Sequence, residues 1–111
     1  MKIYRHEFDP YVNKITTREI EVAEKPQTYT VMSRNIGFYE RVVRKSELGV
    51  LQGRYTKKMF TLTPSKTDFL NALINSTELQ IKYLTEELEN RFNEKTYFSQ
   101  MLGRENKESE A

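Results

Sequence analysis

The chain has 111 residues, enough for one domain with a modest core. Its mean hydropathy of −0.76 is low for a globular protein, yet 12% aromatic residues is too many for a disordered one. With no cysteine, disulfides, thiolate catalysis and cysteine-ligated zinc are excluded, and the net charge of +2 excludes neither basic nor acidic partners.

Residues Lys2 to Phe8 alternate as a strand does, with Tyr4, His6 and Phe8 on one face and Arg5 and Glu7 on the other. Asp9-Pro10-Tyr11-Val12-Asn13 reads as a turn, because Asp before Pro favours turn initiation and Asn tolerates positive φ. The return strand runs from Ile15 to Ala23, with Ile20 and Val22 inward, and Pro26 closes it because proline cannot donate to a ladder. Thr28 to Ser33 is rich in β-branched and aromatic residues and predicts a third strand. Asn35-Ile36-Gly37 then turns the chain into a fourth strand, Phe38 to Val43. Ser46-Glu47-Leu48-Gly49 reads as one helical turn with Ser as cap and Gly as exit, and Arg54 to Leu62 as a last strand.

From Pro64 the pattern changes to helix. Thr63 or Ser65 can cap it, and Leu70, Leu73, Ile74, Ile81, Leu84, Leu88 and Phe92 recur at helical spacing. No glycine or proline intervenes before Gly103, so the predicted helix covers 64–102. At about 1.5 Å per residue it would reach roughly 55–60 Å, against a radius of gyration near 13 Å for a compact chain of this size. Part of it must project, fold back at Asn90 or Asn93, or meet a second molecule. A second stripe, Ala72, Leu79 and Tyr83, widens the apolar face in the first half, which is expected to lie on the sheet. Leu73, Ile74, Ile81 and Leu84 are expected in the core, facing Phe8, Ile20, Val31 and Phe60. Residues 103–111 carry no apolar side chain before Ala111 and are expected as a disordered tail.

Charge is divided between these parts. Up to Pro64 there are twelve Lys/Arg against seven Asp/Glu, and beyond it six against nine, so a basic head precedes an acidic helix. The first residues contain no signal-peptide core, and nothing approaches ~18 consecutive apolar residues. The expectation is a cytoplasmic protein without membrane contact.

Three features bear on function. His6 is the only histidine, and no second imidazole or thiol exists to join it, so it reads as an ordinary half-buried strand residue. Glu86, Glu87, Glu89 and Glu94 spread around several helix faces and read as a solvated surface. Without a phosphate loop or a base beside any hydroxyl, the chain is expected to be no enzyme, with no cofactor and no metal. The second feature is basic: Arg41, Arg44, Lys45, Arg54, Lys57 and Lys58, with Tyr39 and Tyr55 among them. Such a cluster can contact phosphates and stack on bases, can meet an acidic protein surface, or can be a solvated face. Reversing Arg44, Lys45 and Lys58 to Glu is expected to leave folding intact, because exposed charges contribute little to stability. The third is Tyr97, Phe98, Met101 and Leu102 near the helix tip, which make either a partner-binding patch or a fold-back contact.

The opening Met1 to Pro10, the strand end Glu21-Val22-Ala23-Glu24-Lys25-Pro26 before Thr28-Tyr29, and Arg44-Lys45-Ser46-Glu47-Leu48-Gly49 together resemble a diffuse group of small proteins. Phages and mobile elements of Gram-positive bacteria encode them. The resemblance implies a short antiparallel sheet followed by a long charged helix, and, since some such proteins are anti-CRISPR inhibitors of Cas9, a host nuclease as target. It carries over no functional residue.

The reading is therefore an α+β domain over 1–102, with an antiparallel sheet of four or five strands in 1–62 and one long C-terminal helix. The expected function is non-enzymatic binding of a host protein, such as Cas9 or another nuclease complex, with contact to its guide or DNA site. The alternatives are a nucleic-acid-binding accessory protein and an assembly factor whose helix forms a homodimer.

Overall fold

The computed structural model describes residues 1–32 and 40–110. The chain divides into two units, Met1–Ile74 and Asn75–Ala111. The first unit holds β1 (Lys2–Asp9), β2 (Lys14–Glu24), β3 (Thr28–Val31), β4 (Val42–Arg44) and β5 (Lys57–Thr61). Helix α1 covers Thr67–Glu110. The strands form one antiparallel sheet in the order β4-β3-β2-β1-β5, so the fold is the expected α+β arrangement.

Local chemistry sets the register. The Asp9 carboxylate accepts the Tyr11 N–H at 2.9 Å, and Asn13 takes φ 53°, which fixes the β1–β2 turn. Ile3 then lies opposite Ile20, and His6 opposite Thr17. Tyr29 falls opposite Val43, and Val22 opposite Val31. The turn before β5 needs a glycine. Gly53 sits at φ 98°, and a Cβ there would run into the Thr56 carbonyl.

The sheet curls over its own apolar face. Ile3, Ile20, Val22, Tyr29, Val43 and Phe60 form one buried cluster, with Val31 and Leu48 packed against it. β4 and β5 are opposite edges, yet the segment after β4 crosses from one to the other. A 3-10 turn, Lys45–Glu47, leads to Leu48, which bridges Phe60 in parallel, and the Gly49 N–H donates to the Phe60 carbonyl at 2.8 Å. Ser46 lies inside this turn, and Arg44 occupies the capping position with no side-chain hydrogen bond, so the expected serine cap is corrected. The expected Asn35-Ile36-Gly37 turn and the start of the strand expected from Phe38 lie outside the described residues.

A core that closes on itself asks little of the helix, and here the expected core residues are corrected. Ile20 and Phe60 are fully buried, but Ile74, Ile81 and Leu84 are 53–65% exposed and Leu73 is half-buried. Leu79 and Tyr83, expected on the sheet, are also exposed. The first helical turn instead contributes Phe69, fully buried, its ring stacked on His6 at 5.7 Å and 22°.

The helix starts later and ends later than its punctuation suggests. Ser65 Oγ accepts the Thr67 N–H at 3.2 Å, and the Leu70 N–H donates to the Lys66 carbonyl at 2.8 Å, which leaves Pro64 outside. The helix is unbroken through Asn90 and Asn93. It also passes Gly103 and continues to Glu110, where a disordered tail was expected. One glycine costs a helix only about 1 kcal/mol, and the Arg, Lys and Glu that follow are good helix formers.

Candidate functional site

The curled face carries charge as well as apolar side chains. Alternation along β1 puts Arg5 and Glu7 on the same face as Ile3, and pairing sets Arg5 opposite both Arg18 and Phe60. An arginine only 7% exposed and facing a second arginine requires carboxylates. Arg5 donates to Glu7 at 2.8 Å and to Glu40 at 3.2 and 3.3 Å, while Lys58 donates to the same Glu40 oxygen at 2.6 Å. The other Glu40 oxygen is buried without a hydrogen-bond partner among the described residues. Burial pushes the Glu40 carboxyl up, but the Lys58 hydrogen bond, its own backbone N–H and the Arg5 charge outweigh it, so its pKa lies below the usual value.

On the opposite face His6 is fully buried, more so than the half-buried residue expected. Its Nδ1 meets Thr17 Oγ1 and its Nε2 meets Thr61 Oγ1, both at 2.8 Å. Because the Thr61 hydroxyl donates to the Thr63 carbonyl, it accepts from His6, which assigns the neutral ring its proton on Nε2. Burial first, and the nearby Lys66 charge second, lower the His6 pKa; the Thr63 carbonyl and Asp68 oppose them. This is a satisfied structural histidine, and no group of His, Cys, Asp or Glu that could hold a metal ion occurs among the described residues.

The basic cluster predicted from sequence is divided. Arg41 and Arg44 are exposed, Arg44 on β4, whereas Lys57 and Lys58 belong to β5 at the other edge. Lys45 is paired with Glu24 at 2.8 Å and lies 5.4 Å from the centre of the Tyr29 ring. Lys57 donates to the Gly53 carbonyl at 2.8 Å and Lys58 belongs to the Glu40 network. Arg54 and Tyr55 are exposed, Tyr55 by 69%. Tyr39 lies outside the described residues. The cluster is therefore not a uniform outward face: Lys45 and Lys58 already neutralise carboxylates of this chain.

In the second unit every residue from Thr77 to Glu108 is exposed. Leu79, Ile81, Tyr83, Leu84, Leu88, Phe92, Tyr97, Phe98, Met101 and Leu102 are each 43–65% exposed. The four predicted tip residues lie together, with the Tyr97 and Phe98 rings 5.9 Å apart. No helix among the described residues is long and apolar enough to cross a membrane. Two features escaped the sequence reading: Glu40 as the hub of the ion network, and the two threonines that satisfy His6. The alternation of β1 was the available signal for both, since it places a charge and an imidazole at positions buried on opposite faces. No family model, no curated protein and no solved structure matches this chain.

Proposed function

We propose that this protein is a non-enzymatic binding protein that engages other proteins through the apolar face of α1. The observation that carries this reading is the row of large apolar side chains in the second unit, all at least 43% exposed. Monomeric proteins rarely leave contiguous apolar surface of more than a few hundred Å² uncovered, and larger patches mark interaction sites. The sheet unit holds a buried apolar cluster of its own. Phe98→Ala with Leu102→Ala should leave the unfolding of the sheet unit unchanged, measured by thermal denaturation in dilute protein, while abolishing protein association. A loss of about 3–5 kcal/mol, the cost of emptying a core position, would overturn the reading. A host defence nuclease such as Cas9, implied by the sequence resemblance, is one partner of this class. Purified protein added to a guided DNA-cleavage reaction tests it directly.

The nucleic-acid reading rests on Arg41, Arg44, Arg54 and Tyr55, which remain exposed. If it holds, affinity for DNA or RNA falls steeply between low and high salt, and Arg44→Glu with Arg54→Glu flattens that slope without changing stability. Salt-insensitive association that survives both reversals supports the helix instead.

A further inference from the structure

We infer that α1 pairs with α1 of a second copy, antiparallel and centred near Glu86; this rests on the reading of the helix face as protein-binding. Leu70, Ile74, Ile81, Leu84, Leu88, Phe98 and Leu102 fall on the two seam positions of one heptad frame that runs the length of the helix. All are 40–65% exposed. Three seam positions in that frame are polar: Thr77, Arg91 and Lys95.

Those positions decide the orientation. A parallel pair in register would stack Arg91 on Arg91 and Lys95 on Lys95, two successive layers of like charge in the seam. Reversing one helix about Glu86 removes both layers. Leu84 then meets Leu88, Ile74 meets Phe98, and Leu70 meets Leu102, while Arg91 lies opposite Ile81 and Lys95 opposite Thr77. Both cations can lay their aliphatic stems along the seam and keep their charges in water. On the flank Leu73 lies beside Met101, so a further apolar pair closes each end. Glu87 meets its own copy across the two-fold axis, but each is already beside Arg91 of its chain at 4.0 Å.

The size is at the lower limit for a specific pair. From Leu70 to Leu102 the seam spans roughly 48 Å at about 1.5 Å per residue, and a helix is about 10 Å wide. Two such strips give about 1,000 Å², the least area expected of a specific interface and short of the roughly 1,200–2,000 Å² of the most stable ones, so the pairing is expected to depend on concentration. The two-fold symmetry makes the surface complementary to itself, so no second kind of partner is needed.

The absence of cysteine in the chain allows a direct test. Full-length Leu70→Cys and Leu102→Cys proteins, mixed under mild oxidation, should form the 70–102 disulfide between chains, and neither should cross-link efficiently alone. Sedimentation of the unmodified chain should show a concentration-dependent dimer that Leu84→Glu converts to monomer without loss of sheet structure. Dominant 102–102 cross-linking would overturn the antiparallel register. A chain that stays monomeric at the highest attainable concentration would overturn self-pairing. If that monomer still binds a different protein through Phe98 and Leu102, only the choice of partner fails; if it binds none, the proposed function fails with it.

Discussion

Phe69→Ala should destabilise the first unit by about 3–5 kcal/mol, the usual cost of removing a fully buried phenylalanine. That is a large part of the roughly 5–15 kcal/mol available to a domain. The ring is stacked on His6, whose own nitrogens are held by Thr17 and Thr61, so its loss opens a cavity beside the buried His6 and Thr61. Urea denaturation followed by circular dichroism measures the change. Ile81→Ala should cost under about 1 kcal/mol in the same experiment on dilute protein, because its side chain is 58% exposed. Equal effects at the two positions would mean that the helix packs by its whole apolar stripe.

Removing Glu40 should have the second large effect. Its carboxylate is 17% exposed and is held by both Arg5 and Lys58, so Glu40→Ala takes one carboxylate from Arg5 and leaves Lys58 without an ion pair among the described residues. Breaking a buried ion pair costs about 3–5 kcal/mol, and the 26% exposure of Lys58 places the expected value near 3. Lys58→Glu should be comparably damaging, since it sets a carboxylate against Glu40; the expectation that reversing Arg44, Lys45 and Lys58 spares folding gives way at Lys58, which is not a free surface charge. Arg44→Glu should cost almost nothing.

Acid should destabilise the protein in two stages, both of the same sign. Glu40 has a folded pKa below its ordinary 4.5, so the folded state binds fewer protons than the unfolded one there. Its contribution is complete above that value and disappears as pH falls through the folded pKa. His6 is likewise lowered from 6.5, so its contribution begins to fade as pH drops below that value. Melting temperature recorded from neutral to acidic pH should decline first from about pH 6.5 and again below about pH 4.5. The second decline should be absent in Glu40→Ala, and a rise in stability anywhere in this interval would contradict both assignments.

Elements with short-range causes were legible in the residues alone. Period-two alternation through β1 and β2, the Asp9–Asn13 turn and the helical spacing from Leu70 were each legible because neighbouring residues dictate them. The sheet's antiparallel character followed from its short connections. Where competing local signals were weak, boundaries moved: Pro64 stands before the helix, and Gly103 does not end it. Which apolar face is covered emerges only once the chain has folded. A helical stripe in a sequence shows that a surface wants to be covered, not by what. Leu48 bridging Phe60 curls the sheet onto Ile3, Ile20 and Val43, which fills the core of the first unit from within, and Ile81, Leu84 and Leu88 are exposed. The same closure brings Glu40 to Arg5, thirty-five residues away in the chain, and so turns Lys58 from a surface charge into a structural one. Such pairings depend on strand order and curvature, which no local pattern encodes.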